Sequence, residues 1–278
     1  MSFDPLGDLE QVRRGFRWGE TRPSTWAPAA PAVPEPATDL AWARTEPALT
    51  ARKLIQRGVS MPFTELMARP HVSGREWLDQ LDRSAIIVSN HVSHADTQLL
   101  LYALTDRVRE RTVVSAADDY WYQEHPWVGR MVSLWLNTFP FSRTGKPQTV
   151  LANSGMFLQS GWHLLIYAEG TRSPDGRMGP FRPGVGYLAT QNRAPVVPIH
   201  LRGTDRIMAR GRSIPMPAPA RVRIGKPLVA APKEDYRAFT RRIEDAVRTL
   251  AQGPPDDAVR GTWVERWRAS SPGARGRR

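Results

Sequence analysis

The chain has no cysteine among its 278 residues. Disulfides and thiolate metal sites are therefore excluded, and a reducing cytosol is a compatible setting. Lysine is nearly missing, occurring only at positions 53, 146, 226 and 233, so arginine carries almost all of the formal charge of +12. Long apolar runs are missing too. A membrane-spanning helix needs roughly 20 predominantly apolar residues. The most apolar stretch, Trp127 to Phe141, is interrupted by Arg130, Ser133, Asn137 and Pro140. Such a segment does not cross a bilayer but can lie on one. The first residues, MSFDPLGDLEQ, are acidic and lack the apolar region of a secretory signal.

Arginine offers a planar fork of donors that suits phosphate better than lysine does. The charge therefore points to nucleic acid, an anionic membrane surface or phosphorylated small molecules. The arginines are dispersed and no recognised nucleic-acid-binding motif accompanies them, so no nucleic-acid partner is expected. The hydrophobic fraction is 41%, with 25 Pro and 21 Gly. A folded core with irregular ends fits that balance.

The distribution along the chain sharpens this reading. Residues 1–47 are a charged and Pro/Ala-rich extension, with Pro23, Pro28, Pro31, Pro34, Pro36 and Pro47 resisting regular structure. Residues 48–70 read as one or two amphipathic helices, packed on the core or lying on a membrane. Short apolar strands are expected at Ala85–Ser89, Arg111–Ser115, His163–Tyr167, Pro195–Leu201 and Arg221–Ile224. Helical spacing separates them over Thr97–Glu110, 147–160 and Pro183–Gln191, and the clearest helix covers 234–251. The alternation predicts an α/β fold, a single domain with a mostly parallel central sheet flanked by helices. The folded domain is placed at 48–252, with its motifs in 84–225 and a basic tail at 253–278. Pro195 and Pro198 argue that their strand is an edge or carries a bulge.

Functional loops of open α/β sheets follow the carboxyl ends of strands. One such loop is Asn90-His91-Val92-Ser93-His94-Ala95-Asp96. Asp96 falls near the start of the next helix, where a carboxylate is favoured. There it can fix one ring nitrogen of His91 and leave the other to take a proton. A His with an Asp five positions later says little alone. A second segment, Asn137 to Arg143, is an apolar run ending on an arginine suited to clamp a phosphate. A third is Ala168-Glu169-Gly170-Thr171-Arg172-Ser173, followed by Gly176, Gly179-Pro180-Phe181-Arg182 and Gly184. A fourth is Ala194 to Ile199.

These four segments, in this order, resemble the motifs of the glycerolipid acyltransferase family that includes the lysophosphatidic acid acyltransferases. The first family motif, N-H-x-S-x-x-D, is matched at Asn90, His91, Ser93 and Asp96. The third, P-E-G-T-R-S, is matched from Glu169 to Ser173 with Ala168 in place of Pro. In the second, Asn137 stands where the family has Gly, while Phe139, Phe141 and Arg143 fit. The fourth is matched loosely.

The resemblance implies a glycerol-3-phosphate acyltransferase-like fold and an O-acyltransferase. In that role His91 is the general base and Asp96 orients it. Arg143 and Arg172 resemble the ligands of the acceptor phosphate. Glu169, Gly170 and Thr171 shape the same pocket, and Asn90, Ser93 and Ser173 support it. Acyl-CoA or acyl carrier protein is the implied co-substrate, a lysophospholipid the acceptor, and no metal or bound cofactor is called for. Backbone N–H groups near the first motif are the candidate donors to the oxyanion.

Peripheral association with the inner, cytoplasmic face of a membrane is expected on two grounds. One is the basic series Arg202, Arg206, Arg210, Arg212, Arg221, Arg223 and Lys226; the other is the aromatic series Tyr120, Trp121, Tyr122, Trp127 and Trp135. Other acceptors, such as glycerol-3-phosphate or a glycolipid, fit the same motifs. A metal-dependent hydrolase using His91, His94 and Asp96 is the alternative from another class.

Overall fold

A computed structural model describes residues 40–117, 126–141, 147–173, 176–208 and 214–253. The expectations for 1–39 and 254–278 lie outside these residues, as do those for Tyr120, Trp121, Tyr122, Arg143, Arg210 and Arg212. The sheet strands are β1 (His71–Ser73), β2 (Ile86–Ser89), β3 (Thr112–Ala117), β4 (Thr138–Phe141), β5 (His163–Tyr167), β6 (Val196–Arg202) and β7 (Arg221–Ile224). They form one seven-stranded sheet in the order β1-β7-β6-β2-β5-β3-β4. Every neighbouring pair is parallel except β6 and β7.

The longer helices are α1 (Glu46–Ile55), α2 (Met61–Ala68), α3 (Ala95–Ala103), α4 (Pro126–Leu136), α5 (Pro147–Gln159), α6 (Gly184–Asn192) and α7 (Tyr236–Ala251). Consecutive strand residues point to opposite faces, and two core layers result. Ile87, Leu165, Val197 and Leu201 pack against Leu99, Leu100 and Leu101 of α3 on one face. Ile86, Val88, Leu164 and Val196 pack against Leu158, Leu188, Phe239 and Ile243 on the other. Each fully buried Leu or Ile contributes about 1.5–3 kcal/mol relative to exposure. Asp235 caps α7 by accepting from the N–H groups of Arg237 and Ala238.

Within the expected extension, Leu40 and Ala43 are buried and Ala41–Arg44 form a 3₁₀ turn. The structure departs from expectation in three places. The stretch Thr97–Glu110 is two helices, because Leu104 and Thr105 are extended and stop α3 before Asp106–Glu110. Strands β1 and β4 and helix α4 had no clear periodicity to announce them. The proline strand β6 is central rather than an edge. Val196 exchanges both backbone bonds with Leu228, and the Pro198 carbonyl accepts from Gly225, so the even positions face the β7 side. The β7 ladder stops at Ile224, opposite Ile199. The missing N–H of Pro198 thus faces the place where that ladder has already ended.

His163 opens β5 with its Nδ1 accepting the Ala85 N–H at 3.1 Å. Burial, with Arg107 and Arg111 adding repulsion, lowers its pKa from 6.5 to about 4. The unfolded chain then binds a proton near pH 6.5 that the folded chain refuses until about pH 4. Stability from this site is full above pH 6.5, falls as pH drops, and is exhausted below 4. The loss is about 3 kcal/mol on the usual linkage relation. Urea unfolding at pH 7 and pH 4.5 should show it, and His163→Gln should flatten the slope.

Candidate active site

The carboxyl ends of β2, β5 and β6 lie side by side, which gathers the first and third motifs although they are 78 positions apart. Asn90 sets the first loop. Its Nδ2 donates to the Leu201 carbonyl at 3.0 Å and its Oδ1 accepts the Leu201 N–H at 2.8 Å. A side-chain amide thereby continues the β2–β6 pairing one residue past the strand. Ser93 accepts the Ala95 N–H and donates to the Met208 carbonyl. These contacts turn the chain into α3 and bring Asp96, in its first turn, back over the loop.

Asp96 is fully buried. Its Oδ2 accepts the N–H groups of Val92 at 2.7 Å and Ser93 at 2.8 Å, and lies 2.8 Å from His91 Nδ1. An oxygen already receiving two N–H groups offers the ring acceptor capacity only. His91 Nδ1 therefore carries the proton and donates it, and Nε2 keeps its lone pair. The His91 side chain retains 19% exposure, so the ring is held from behind yet reachable.

Glu169, assigned to the substrate pocket from sequence, accepts the His91 N–H at 2.8 Å with Oε1 and the Gly179 N–H at 2.9 Å with Oε2. The Ser173 N–H donates to the His91 carbonyl at 2.8 Å. The third motif is thus fastened to the backbone of the first. Burial raises the Glu169 carboxyl pKa, opposed by the two N–H donors. Glu169→Gln should weaken both clamps, since an amide accepts with one oxygen only. It should lower activity about tenfold or more and the thermal midpoint by several degrees. Steady-state rates and a melting curve on one preparation check this.

Gly170 adopts φ +78, and a Cβ there would lie 2.5 Å from Arg182 Nε. A larger residue would be strained at this φ and would have to displace the Arg182 side chain. Thr171 is exposed and Arg172 half-buried beside this turn. His94 settles differently from His91. Burial first, then the charges of Arg172 and His91, lowers its pKa to about 3. A nitrogen so weakly basic is a poor proton acceptor near neutrality, whereas His91 has a carboxylate behind its ring. Among the described residues, no group of three or more His, Asp or Glu could hold a metal ion.

Two features were not visible in the sequence. Tyr167, the last residue of β5, stacks on the His91 ring at 3.8 Å between centroids and 15° between planes. The backbone of the first motif is also tied into the fold. The N–H groups of residues 91, 92, 93, 95 and 96 all have acceptors there.

Residues 69–202 match the family model described as Acyltransferase. That span contains the His91–Asp96 pair, its β2 and β5 supports and the Glu169 clamp. Over these residues the chain is similar to acyltransferases.

Similar proteins occur in plants and animals. A chloroplastic 1-acyl-sn-glycerol-3-phosphate acyltransferase of Brassica napus is 32% identical over 142 residues, 50% of this chain and 39% of that one. The alpha enzyme of the same description from Mus musculus is 29% identical over 184 residues, 63% of this chain and 61% of the relative. The chain thus spans less than two thirds of the length of these relatives. The crystal structure of the 1-acyl-sn-glycerophosphate (LPA) acyltransferase of Thermotoga maritima shares the fold, with a TM-score of 0.58 and 23% identity over 77% of this chain and 83% of that one.

The unusual Asn137 of the second motif has a conformational explanation. It takes φ +55 directly after α4, and its N–H donates to the Ser133 carbonyl. Asn is the residue after Gly that best tolerates this left-handed helix end. Its Nδ2 also donates to the Thr112 carbonyl. The basic series at 202–226 is less coherent than its sequence implies. Arg221 is buried, and Arg223 donates to the Leu250 carbonyl at the end of α7. Both project, with Arg202, from the sheet face opposite Tyr167.

Proposed function

We propose that the chain transfers a fatty acyl group from an acyl thioester, acyl-CoA or acyl carrier protein, to the hydroxyl of a lysophospholipid. The acceptor in this reading is 1-acylglycerol-3-phosphate and the product phosphatidic acid. The observation that carries it is the His91–Asp96 pair, whose Nε2 is left as a reachable base. The acceptor hydroxyl gives its proton to Nε2 as its oxygen attacks the thioester carbon. The C–O bond forms, the C–S bond breaks, and the imidazolium returns the proton to the departing thiolate. No covalent enzyme intermediate is needed, and a thiolate leaves readily. Arg172 supplies cationic charge beside the loop for an acceptor phosphate, with Arg143 as its partner from the second motif. The names of the relatives support this acceptor. A panel of 1-acylglycerol-3-phosphate, glycerol-3-phosphate and a glycolipid with one labelled acyl-CoA tests the reading. Preferred acylation of another acceptor would overturn the substrate while sparing the base.

Membrane contact is part of the same proposal. In α1, the following π-turn Gln56–Ser60 and α2, the buried positions are Ala48, Arg52, Gln56, Ser60, Thr64 and Ala68. Leu54, Val59, Phe63 and Leu66 are instead 70, 66, 47 and 65% exposed. The wide π-turn adds a residue and keeps these four on one face. The polar side faces the protein. Arg52 donates to the carbonyls of Ala43, Ser133 and Leu134, Gln56 donates to the Trp135 carbonyl, and the Trp135 indole donates to Ser60. Those bonds satisfy carbonyls at the end of α4. Met131 and Trp135 on α4 are exposed as well. No helix among the described residues is long and apolar enough to cross a membrane. An apolar face turned outward suits insertion into one leaflet. The wild type should co-float with anionic vesicles at low salt. Leu54→Asp with Phe63→Asp should weaken binding roughly tenfold or more, and unchanged flotation would count against this face.

A further inference from the structure

We propose that Tyr167 is a positioning residue for the base: its ring is the floor on which the His91 imidazole rests, and its π-face stabilises the imidazolium formed during transfer. The inference rests on the reading of His91 as general base. The geometry is specific. The rings lie 3.8 Å apart and 15° from parallel, so one whole face of the imidazole is covered. Tyr167 ends β5 directly beside Ser89 in the sheet, two residues before His91. Its hydroxyl is 2.8 Å from Thr97 Oγ1, which immediately follows Asp96 in α3. Two successive residues of α3 therefore hold the two partners of the ring: Asp96 fixes its edge and Thr97 fixes the floor beneath it. Rotation of the imidazole about its hydrogen bond would break the stack, so edge and face together set where Nε2 points.

The chemistry asks for this. At rest the imidazole is neutral and stacking is a modest packing term. After it takes the hydroxyl proton, a cation lies over an aromatic face with little water between, and that contact strengthens. The stabilisation is therefore larger in the charged state than in the ground state, which is what accelerates a step. Burial and the nearby Asp96 hold the phenol far above its usual range, so Tyr167 stays neutral and donates no proton to the reaction. Among the described residues, the other ionisable groups around the ring are Asp96 at Nδ1, Glu169 at the backbone N–H, and His94 with Arg172 behind it.

The test replaces Tyr167 with phenylalanine and then with mono-, di- and trifluorinated phenylalanines, which keep the ring's shape while draining its face. The His91 titration is followed by NMR on the full-length protein, and kcat and KM are measured against pH. The midpoint of His91 should move to lower pH with each fluorine, by about half a pH unit or more across the series. The acid limb of the kcat profile should move with it, with acceptor KM steady within about twofold. Tyr167→Leu should show the same displacement in one step, and Tyr167→Phe should recover most of it. A titration and acid limb unmoved by fluorination would overturn the proposal and leave Tyr167 as packing. Retained transfer in His91→Ala would overturn the base assignment, and the proposal with it. That outcome is distinguishable, because the fluorine series would still move the His91 titration.

Discussion

His91→Ala is expected to reduce acyl transfer by about 10²–10⁴-fold, the usual contribution of a positioned general base. It should do so with little loss of stability. Among the described residues the side chain makes one hydrogen bond, to Asp96 Oδ2, and that oxygen keeps the N–H groups of Val92 and Ser93 after the ring is gone. The backbone of residue 91 also keeps its bonds to Glu169 and Ser173, because neither uses the imidazole. The loss should fall on kcat rather than on acceptor KM, since a base acts on the proton in transit and contributes little to ground-state binding. A comparable fall in the thermal midpoint would mean that the ring is structural.

Asp96→Ala should cost both activity and stability, and the contrast with His91 is informative. One oxygen serves two backbone donors and the imidazole, in a site without solvent access. Removing it leaves buried N–H groups unmet at about 1–3 kcal/mol each. It also frees the His91 ring to take the wrong tautomer, with a further loss of about 10²-fold or more in kcat. Asp96→Asn separates the two effects. The amide oxygen still accepts from Val92 and Ser93, so the fold is largely kept, while the loss of charge beneath the imidazolium still slows transfer. Melting curves and rates for both variants should show Ala failing on both measures and Asn chiefly on rate.

The two variants bear on what the sequence could disclose. That Asp96 can return to His91 was legible only in company: the pair says little alone, and the strand before it and the third motif after a second strand gave it weight. The joining of Glu169 to this loop followed from the parallel sheet. Its partners did not: a Glu next to a Gly reads as a pocket residue, and only the placement of β5 beside β2 shows it bound to the His91 and Gly179 N–H groups. Tyr167 was hidden for a similar reason. An aromatic at the end of an apolar strand reads as core by default, and ring stacking is a matter of distance between strands. The two prolines of β6 misled because sequence cannot tell which neighbour their nitrogens face. The run from 48 to 70 read either as packed on the core or as lying on a membrane. What the sequence did not disclose is that its polar stripe of Arg52, Gln56, Ser60 and Thr64 faces inward, because α4 ends there with carbonyls to satisfy.

His94 is the residue that most directly competes for the role given to His91, and the two can be separated in one assay. With labelled acyl-CoA and 1-acylglycerol-3-phosphate, kcat/KM is measured for His91→Ala and His94→Ala beside the wild type. The expected result is loss of about two orders of magnitude or more in His91→Ala, with His94→Ala retaining most of the catalytic rate. Near-normal transfer by His91→Ala together with collapse in His94→Ala would contradict the assignment of the base.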